Sequence, residues 1–199
     1  VGGSLLLARA PGRLGEYLGA TAARMGPGDA ILAEFADFYI PEAGWDTLKT
    51  ALIDTGDWEA VDRAAEAPPE APLQALKTRI DDLFGGETLR DVLNALRHDG
   101  SDFARSAEAA MAGHAPLSVA CALEIIHRAR VRDTIEHALD QEYRFTWRAM
   151  EQGDFLEGIR AAIIDKDRDP KWRHARLDDV TPVEVSRMLM PLGRDALML

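Results

Sequence analysis

The chain has 199 residues, 47% hydrophobic and 29% charged, which is typical of a globular protein with a sizeable buried core. Its net charge of −11 argues against general nucleic-acid binding and adhesion to anionic membranes, since both need a basic surface. No apolar run approaches the roughly 20 residues of a membrane helix. The single cysteine excludes an internal disulfide, so we expect a cytoplasmic protein, or a mitochondrial one if a transit peptide has been lost.

Helical periodicity dominates the first 35 residues. A short apolar run covers residues 4–8, and the first full helix follows it. The apolar face of that helix is predicted to contain Leu14, Tyr17, Leu18, Ala22 and Met25. Gly26-Pro27-Gly28 interrupts the pattern, and a second helix is predicted from about Asp29 to Glu34.

The next segment contains the one strand that the sequence predicts. Residues 36–40 are short and aromatic and are bounded by Pro41. Two short helices follow, marked by Trp45 and Trp58. The proline-rich residues 67–72 form the best candidate boundary, so we expect a first region of residues 1–66, a linker of residues 67–72 and a C-terminal helical region of residues 73–199.

Helix starts in the C-terminal region have clear capping signals. Thr88 with Asp91 approximates a capping box, and Thr181-Pro182-Val183-Glu184 combines an N-cap, a first-turn proline and an N3 glutamate. Pro116 is predicted to open a helix that runs to about Val131. A longer helix is predicted with Ile135, Leu139, Tyr143, Thr146 and Met150 on one face. Gly153-Asp154 is predicted to close this helix and to cap the next one, with Glu157 at N3.

The residues that could carry chemistry do not define a reaction by themselves. The five histidines are scattered, which argues against a metal site, and Cys121 in an apolar run is typical of a small core residue. No glycine-rich phosphate loop is present. Residues 165–172 mix alternating charges with Trp172, a pattern of either a salt-bridged surface turn or a site for an anionic ligand.

Several segments, in the right order, resemble the 3-hydroxyisobutyryl-CoA hydrolases, a branch of the crotonase (enoyl-CoA hydratase/isomerase) superfamily. Val1-Gly2-Gly3 is similar to the Pro-Asp-Val-Gly-Gly segment of that branch, residues 96–104 to its Asp-Gly-Ser segment, and Glu142-Tyr143-Arg144 to its Glu-Tyr-Arg. The most specific match is residues 154–167 with Pro170-Lys171-Trp172, because the Ile-Asp-Lys-Asp…Pro-Lys-Trp continuation is particular to the branch.

The resemblance implies a mainly α chain that forms the C-terminal helical half of the α/β crotonase spiral fold. It also implies an acyl-CoA thioesterase of valine breakdown that needs no cofactor or metal. The catalytic glutamate and aspartate of the family are expected just before Val1, so the chain alone is expected to be inactive and to need the missing N-terminal half as its partner. Self-association through exposed apolar faces is also expected.

Four residues are candidates for binding the acyl-CoA substrate. Gly2 and Gly3 would let the backbone pass close to the acyl chain, and their helix N-terminus would favour an anion. Lys166 and Lys171 would meet the phosphates of CoA, or alternatively pair with the aspartates around them. Two other functions remain open: a related enoyl-CoA hydratase or isomerase, and a non-catalytic helical interaction module.

Overall fold

The computed structural model describes residues 2–198, and these residues are mainly helical. Within this range the α-helices are α1 Gly3–Arg9, α2 Leu14–Thr21, α3 Pro27–Leu32, α4 Trp45–Thr55, α5 Glu59–Ala64, α6 Pro72–Leu83, α7 Leu89–Asp99, α8 Asp102–Ala112, α9 Pro116–Val131, α10 Ile135–Gln152, α11 Phe155–Ile159 and α12 Pro182–Met188. A π-helical turn, Arg160–Ile164, extends α11, and short 3-10 turns occupy Glu42–Gly44, Leu177–Asp179 and Gly193–Asp195.

The helix α9 is the central element of the fold. It packs against α1, α2, α10 and α12, and also contacts α7 and α8. A helix enclosed by partners must be apolar on most of its circumference, and α9 has that composition. Its buried residues are Pro116, Leu117, Val119, Ala120, Cys121, Leu123, Ile125, Ile126 and Ala129. The predicted helix from Pro116 to Val131 is therefore confirmed, together with the core position of Cys121.

The main core lies between the N-terminal helices and α6 to α9. Ile80, Phe84 and Leu93 are fully buried there, and the ring of Tyr17 packs edge-on against Phe84 with centroids 5.4 Å apart. Residues before and after the segment 67–72 belong to this one core cluster, for example Leu18 and Leu73. The domain boundaries predicted around that segment stay a prediction.

Two of the predicted helix starts form complete capping boxes. The Thr88 hydroxyl accepts the N–H of Asp91, and the Asp91 carboxylate accepts the N–H of Thr88. Thr181 and Glu184 make the same reciprocal pair at the start of α12. Each box satisfies donors that a helix start otherwise leaves without partners, so the chain sets these boundaries locally.

The first full helix ends earlier than predicted. Its last residue is Thr21, and Ala22 adopts a left-handed conformation with φ 51°, so Ala22 and Met25 lie beyond it. The next helix, α3, begins at Pro27 instead of Asp29, because proline fits the first helical turn. The carboxylate of Asp29, within α3, accepts a hydrogen bond from the N–H of Leu73 at 2.9 Å, which fixes the start of α6 against α3.

The strand predicted over residues 36–40 is wrong for the described part of the chain. Only an isolated antiparallel bridge forms there, between Tyr39 and Glu66, with the N–H of Glu66 donating to the carbonyl of Tyr39 at 2.9 Å. A strand needs a neighbouring strand with which to form backbone hydrogen bonds, and the segment at Glu66 pairs with residues 36–40 through a single residue pair.

The predicted side-chain cap at Asp154 is also wrong. Asp154 does occupy the N-cap position of α11, but its carboxylate makes no capping bond. The Oδ1 atom instead accepts the N–H of Arg173 at 2.7 Å, which ties the return of the chain to the start of α11. Glu157, expected at N3 of a capping box, is bound to Arg160.

Within residues 2–198, no single helix has the length and hydropathy of a membrane span, although α8 and α9 meet both criteria when taken together as a pair bent by 111°.

Candidate functional site

The Gly2-Gly3 step forms the start of α1. Gly2 is buried and has a left-handed φ of 82°, and a Cβ atom placed on it would lie 2.9 Å from the Cδ1 atom of Ile135. Gly3 is exposed, and a Cβ atom there would meet no atom within 4 Å. The left-handed backbone therefore favours glycine at Gly2, where a Cβ atom would also require the end of the Ile135 side chain to shift, whereas at Gly3 the described residues leave open space.

The amide groups at this helix start already have an anionic partner. The carboxylate of Glu142, on α10, accepts the N–H of Gly2 at 2.7 Å, the N–H of Ser4 at 2.9 Å and the hydroxyl of Ser4 at 2.6 Å. These two amides are consequently not available to a substrate anion, contrary to the role expected for the helix N-terminus. The substrate-binding roles of Gly2 and Gly3 stay predictions.

Burial and hydrogen bonding act in opposite directions on Glu142. Partial burial alone would raise the pKa of its carboxyl group, but the hydrogen bonds from Ser4 and Gly2 outweigh it and hold that pKa below its usual range. The carboxylate is thus ionised at neutral pH, the state that can accept all three hydrogen bonds. In the sequence, Glu142 is distinguished only as part of the Glu-Tyr-Arg motif, and nothing in that motif indicates its contact with Gly2.

The other predicted binding residues lie in a turn organised by Arg160. Its guanidinium binds Glu157 through two parallel hydrogen bonds of 2.9 and 2.8 Å. It also binds Asp165 at 2.6 Å and Asp167 at 2.7 Å. Arg160 is the main cause that lowers the pKa of Glu157 to about 2 and the pKa of Asp167 below its usual value. The charged segment is therefore a salt-bridged turn, one of the two structures that the sequence left open.

The two lysines of this turn have different surroundings. Lys171 pairs through its ammonium with Asp169, and its N–H donates to Glu157 at 2.5 Å. Lys166 is exposed and adopts a left-handed φ of 57°. Among residues 2–198, no carboxylate lies within ion-pair distance of the Lys166 ammonium. The ammonium of Lys166 is thus the more accessible of the two for an anionic ligand, and its role stays a prediction.

An apolar cavity of about 290 Å³ adjoins this turn, and sequence reasoning missed it. Its wall includes Phe145 and Ala149 of α10, Phe155 of α11, and Trp172. Asp154 also lines it; this residue is buried, and its Oδ2 atom has no hydrogen-bond partner among the described residues. The walls come from four parts of the chain, since the start of α9 also lines the cavity, so no local sequence pattern indicates it.

The helix α10 connects the two groups of predicted residues. Glu142 contacts the start of α1, and the C-terminal end of α10, ten residues later, leads into α11 and the charged turn. At 1.5 Å per residue, that end lies about 15 Å further along the helix axis. The structure thus brings Gly2 to Glu142 and the lysines to Arg160, as two separate groups. Within residues 2–198, no group of three His, Cys, Asp or Glu side chains is arranged to hold a metal ion.

Comparison with known proteins identifies the family. Residues 1–189 match the family model described as enoyl-CoA hydratase/isomerase. The chain is 31% identical to a probable 3-hydroxyisobutyryl-CoA hydrolase of Arabidopsis thaliana, with 90% of the chain and 51% of the relative covered. It is 30% identical to the mitochondrial 3-hydroxyisobutyryl-CoA hydrolase of Rattus norvegicus, with 97% and 53% covered. The chain therefore spans about half the length of these curated relatives.

Solved structures agree with the sequence comparison. A crystal structure described as an enoyl-CoA hydratase from Rhodobacter sphaeroides superposes with a TM-score of 0.92 at 50% identity, over 100% of this chain and 57% of that one. A carnitinyl-CoA dehydratase from Mycobacterium thermoresistibile gives a TM-score of 0.87 at 36% identity, over 96% and 55%. The predicted fold class, a mainly helical chain of the crotonase fold, is confirmed. The chain belongs to the enoyl-CoA hydratase/isomerase family of the crotonase superfamily.

Proposed function

We propose that the chain is the C-terminal part of an acyl-CoA thioesterase that hydrolyses 3-hydroxyisobutyryl-CoA to 3-hydroxyisobutyrate and CoA, a step of valine breakdown. The observation that carries the proposal is the branch-specific segment of residues 154–172, whose Arg160-centred turn contains Lys166 and Lys171. The names of the curated relatives, at about 30% identity, support the same substrate.

The proposed reaction adds water across the thioester carbon–sulfur bond. Two backbone N–H groups would hold the thioester oxygen as negative charge develops on it. One carboxylate would activate the water or attack the carbonyl carbon, and the other would position the 3-hydroxyl group or transfer a proton to the leaving CoA thiolate. The products are a carboxylic acid and the free thiol, so the reaction needs no redox partner.

The catalytic carboxylates are proposed to lie immediately before Val1, in the N-terminal half of the crotonase fold. The resemblance of Val1-Gly2-Gly3 to the Asp-Val-Gly-Gly segment supports this position. That N-terminal half is then the partner of this chain, and the 199-residue chain alone would not turn over substrate. A cytoplasmic location is part of the proposal, with a mitochondrial one if a transit peptide precedes the enzyme.

A second candidate function is the hydration or isomerisation of an enoyl-CoA. It is favoured by one observation, the 50% identity to the Rhodobacter sphaeroides structure described as an enoyl-CoA hydratase. The two candidates differ in the upstream acid–base residues, and an aspartate directly before Val1 favours the hydrolase. The third possibility, a non-catalytic helical module, predicts instead a natural start codon near Val1 in the gene.

The test compares the full-length protein with the 199-residue chain on two substrates. With 3-hydroxyisobutyryl-CoA, the full-length protein should release free thiol, followed with a colorimetric thiol reagent, and the short chain should not. With crotonyl-CoA, a hydratase would remove the enoyl-thioester absorbance without releasing thiol. Thiol release by the short chain at the full-length rate would refute the proposed position of the carboxylates. Hydration of crotonyl-CoA without hydrolysis of 3-hydroxyisobutyryl-CoA would refute the thioesterase. A full-length protein that is inactive on both substrates would favour the non-catalytic module.

A further inference from the structure

The side chain of Glu142 clamps the start of α1 from a different part of the fold. Its Oε2 atom accepts the N–H of Gly2, and its Oε1 atom accepts both the N–H and the hydroxyl of Ser4. The contact joins residues that are 140 positions apart in the sequence. Since hydrogen bonds to a charged acceptor are roughly twice as strong as neutral ones, this is a strong connection between α10 and the Gly2-Gly3 step.

The helix that carries Glu142 is itself firmly held. The neighbouring residue, Gln141, is buried and accepts a hydrogen bond from Arg128 of α9 at 3.0 Å. Arg144 pairs with Asp140 at 2.6 Å and donates to the carbonyl of Leu189, just after α12, at 3.2 Å. A carboxylate on a helix fixed at these points can define the position of a more adaptable segment.

From these contacts we propose that Glu142 is a positioning residue for the reaction of this family, holding the Gly2-Gly3 step so that the catalytic group upstream of it is directed at the substrate. This inference rests on the proposed function, in which a catalytic aspartate immediately precedes Val1. Gly2 and that aspartate are then only two residues apart, so a fixed Gly2 backbone limits the positions that the aspartate carboxylate can reach.

The chemistry of the clamp requires a carboxylate of this length. Two oxygens must accept from backbone N–H groups on both sides of Gly3, and a glutamine offers one oxygen and one NH₂ donor. In Glu142→Gln the NH₂ group faces the N–H of Gly2 or that of Ser4, so one of the two backbone bonds is lost. Glu142→Asp retains the charge but is one methylene shorter and cannot reach both amides from the same helix position.

The test uses the full-length enzyme and measures turnover together with amide hydrogen exchange. In Glu142→Gln we expect kcat to fall at least tenfold with KM changed less than twofold, since misplacing a catalytic group affects the transition state more than ground-state binding. Exchange of the amides in residues 2–4 should become faster by a similar factor. Glu142→Asp should not restore either quantity.

Asp133→Asn is the matched control. It removes a carboxylate that pairs with Arg9 at 2.7 Å at the opposite end of α1, so it changes the charge and anchoring of the same helix away from the Gly2-Gly3 step. We expect its kcat to equal that of the wild type at a temperature well below the melting temperature.

The outcomes separate this inference from the proposed function. A wild-type enzyme that hydrolyses 3-hydroxyisobutyryl-CoA, with Glu142→Gln equally active, would overturn the positioning role. A loss of kcat without faster exchange in residues 2–4 would also overturn it. If the wild type does not hydrolyse this substrate, the proposed function fails, and the same variants are measured on crotonyl-CoA hydration. Unchanged hydration in Glu142→Gln, or no activity of the wild type on either substrate, would overturn the positioning role.

Discussion

Arg130 binds both carboxylate oxygens of the fully buried Glu16, with its Nε atom 3.0 Å from Oε1 and its Nη2 atom 2.8 Å from Oε2. The same guanidinium donates to the carbonyl of Gly12 at 2.9 Å, and Arg13 contacts Glu16 at 2.9 Å. The Nε2 atom of His127 lies 3.4 Å from the carboxylate. These contacts join α2 to α9 and fix the loop between α1 and α2.

The first prediction is that Glu16→Gln destabilises the protein strongly. The substitution leaves the guanidinium groups of Arg130 and Arg13 without their buried counter-charge, and breaking such a pair costs about 3 kcal/mol. Urea unfolding followed by circular dichroism measures the change. The control is Asp46→Asn, which removes a pair between Lys49 and a 96% exposed carboxylate and should change the unfolding free energy by less than about 0.5 kcal/mol. Equal stabilities of the two variants would contradict the prediction.

The second prediction is an acid-dependent loss of stability that is due to Glu16. Burial alone would raise its pKa, but the contacts with His127, Arg130 and Arg13 outweigh burial and lower the pKa to about 2. A carboxyl group with a lowered folded-state pKa stabilises the fold above its unfolded pKa and loses that contribution as the pH falls. At about 1.4 kcal/mol per pKa unit, Glu16 contributes about 3 kcal/mol, which disappears between about pH 4.5 and pH 2.

The measurement compares the wild type with Glu16→Gln at a series of pH values from 7 down to 2. The difference in unfolding free energy between the two proteins should shrink as the pH falls below 4.5. A difference that stays the same at pH 3 and pH 7 would show that the carboxylate is not held ionised by its partners.

The third prediction concerns Gly15, where α2 crosses α1. A Cβ atom on Gly15 would lie 1.8 Å from the carbonyl oxygen of Leu7, which is backbone and cannot move aside. Gly15→Ala should therefore separate the two helices and cost about 3 kcal/mol or more, measured by thermal or urea unfolding. Gly44→Ala is the control, because its Cβ atom would meet only the Ile40 side chain, at 3.8 Å. A Gly15→Ala variant as stable as Gly44→Ala would contradict the close approach.

Local signals explain which parts of the fold could be predicted from the sequence. The capping box at Thr181 and the proline at Pro116 act within a few residues, and both helix starts were predicted correctly. Long-range partners explain the errors. Asp154 has the residue type of an N-cap, but the N–H of Arg173 occupies its carboxylate, and residues 36–40 have the composition of a strand but only one bridging residue pair.

The candidate site shows the same difference between local signals, which the sequence contains, and long-range contacts, which it does not. The lysines of residues 165–172 could be chosen as candidates from the sequence, because charge alternation and the family motif both lie within one short segment. Glu142 and the cavity beside Trp172 were not identified, because each depends on residues from distant segments meeting in the fold. A single sequence contains no pattern that pairs Glu142 with Gly2.

The fourth prediction is that the 199-residue chain self-associates when the proposed N-terminal half is absent. Ile163 and Ile164 in the π-helical turn are 64% and 68% exposed, and Phe155 beside them is 53% exposed. Adjacent exposed apolar side chains of this kind favour association. Ile163→Glu should reduce the apparent mass in concentration-dependent sedimentation, whereas Ile53→Glu, on α4 and 83% exposed, serves as the control and should not. A wild-type chain that is monomeric at all concentrations would contradict the prediction.

The last prediction tests whether Lys166 binds the phosphates of CoA. In the full-length protein, Lys166→Ala should raise KM for the proposed acyl-CoA substrate several-fold and leave kcat nearly intact, which is the pattern of lost uniform binding. The physical reason is that the Lys166 ammonium is exposed and, within residues 2–198, has no ion-pair partner, so a phosphate does not have to displace one. Lys171→Ala should have a smaller effect, because Lys171 is already paired with Asp169.

Lys49→Ala separates this specific role from a change in overall charge. Lys49 lies on α4, pairs with Asp46 and carries the same charge, so its replacement changes the net charge by the same amount away from the turn. Raising the salt concentration should reduce the difference in KM between wild type and Lys166→Ala, because screening weakens an exposed lysine–phosphate contact. An unchanged KM with a lower melting temperature would show instead that Lys166 stabilises its turn, and equal KM values for Lys166→Ala and Lys49→Ala would show that only net charge matters.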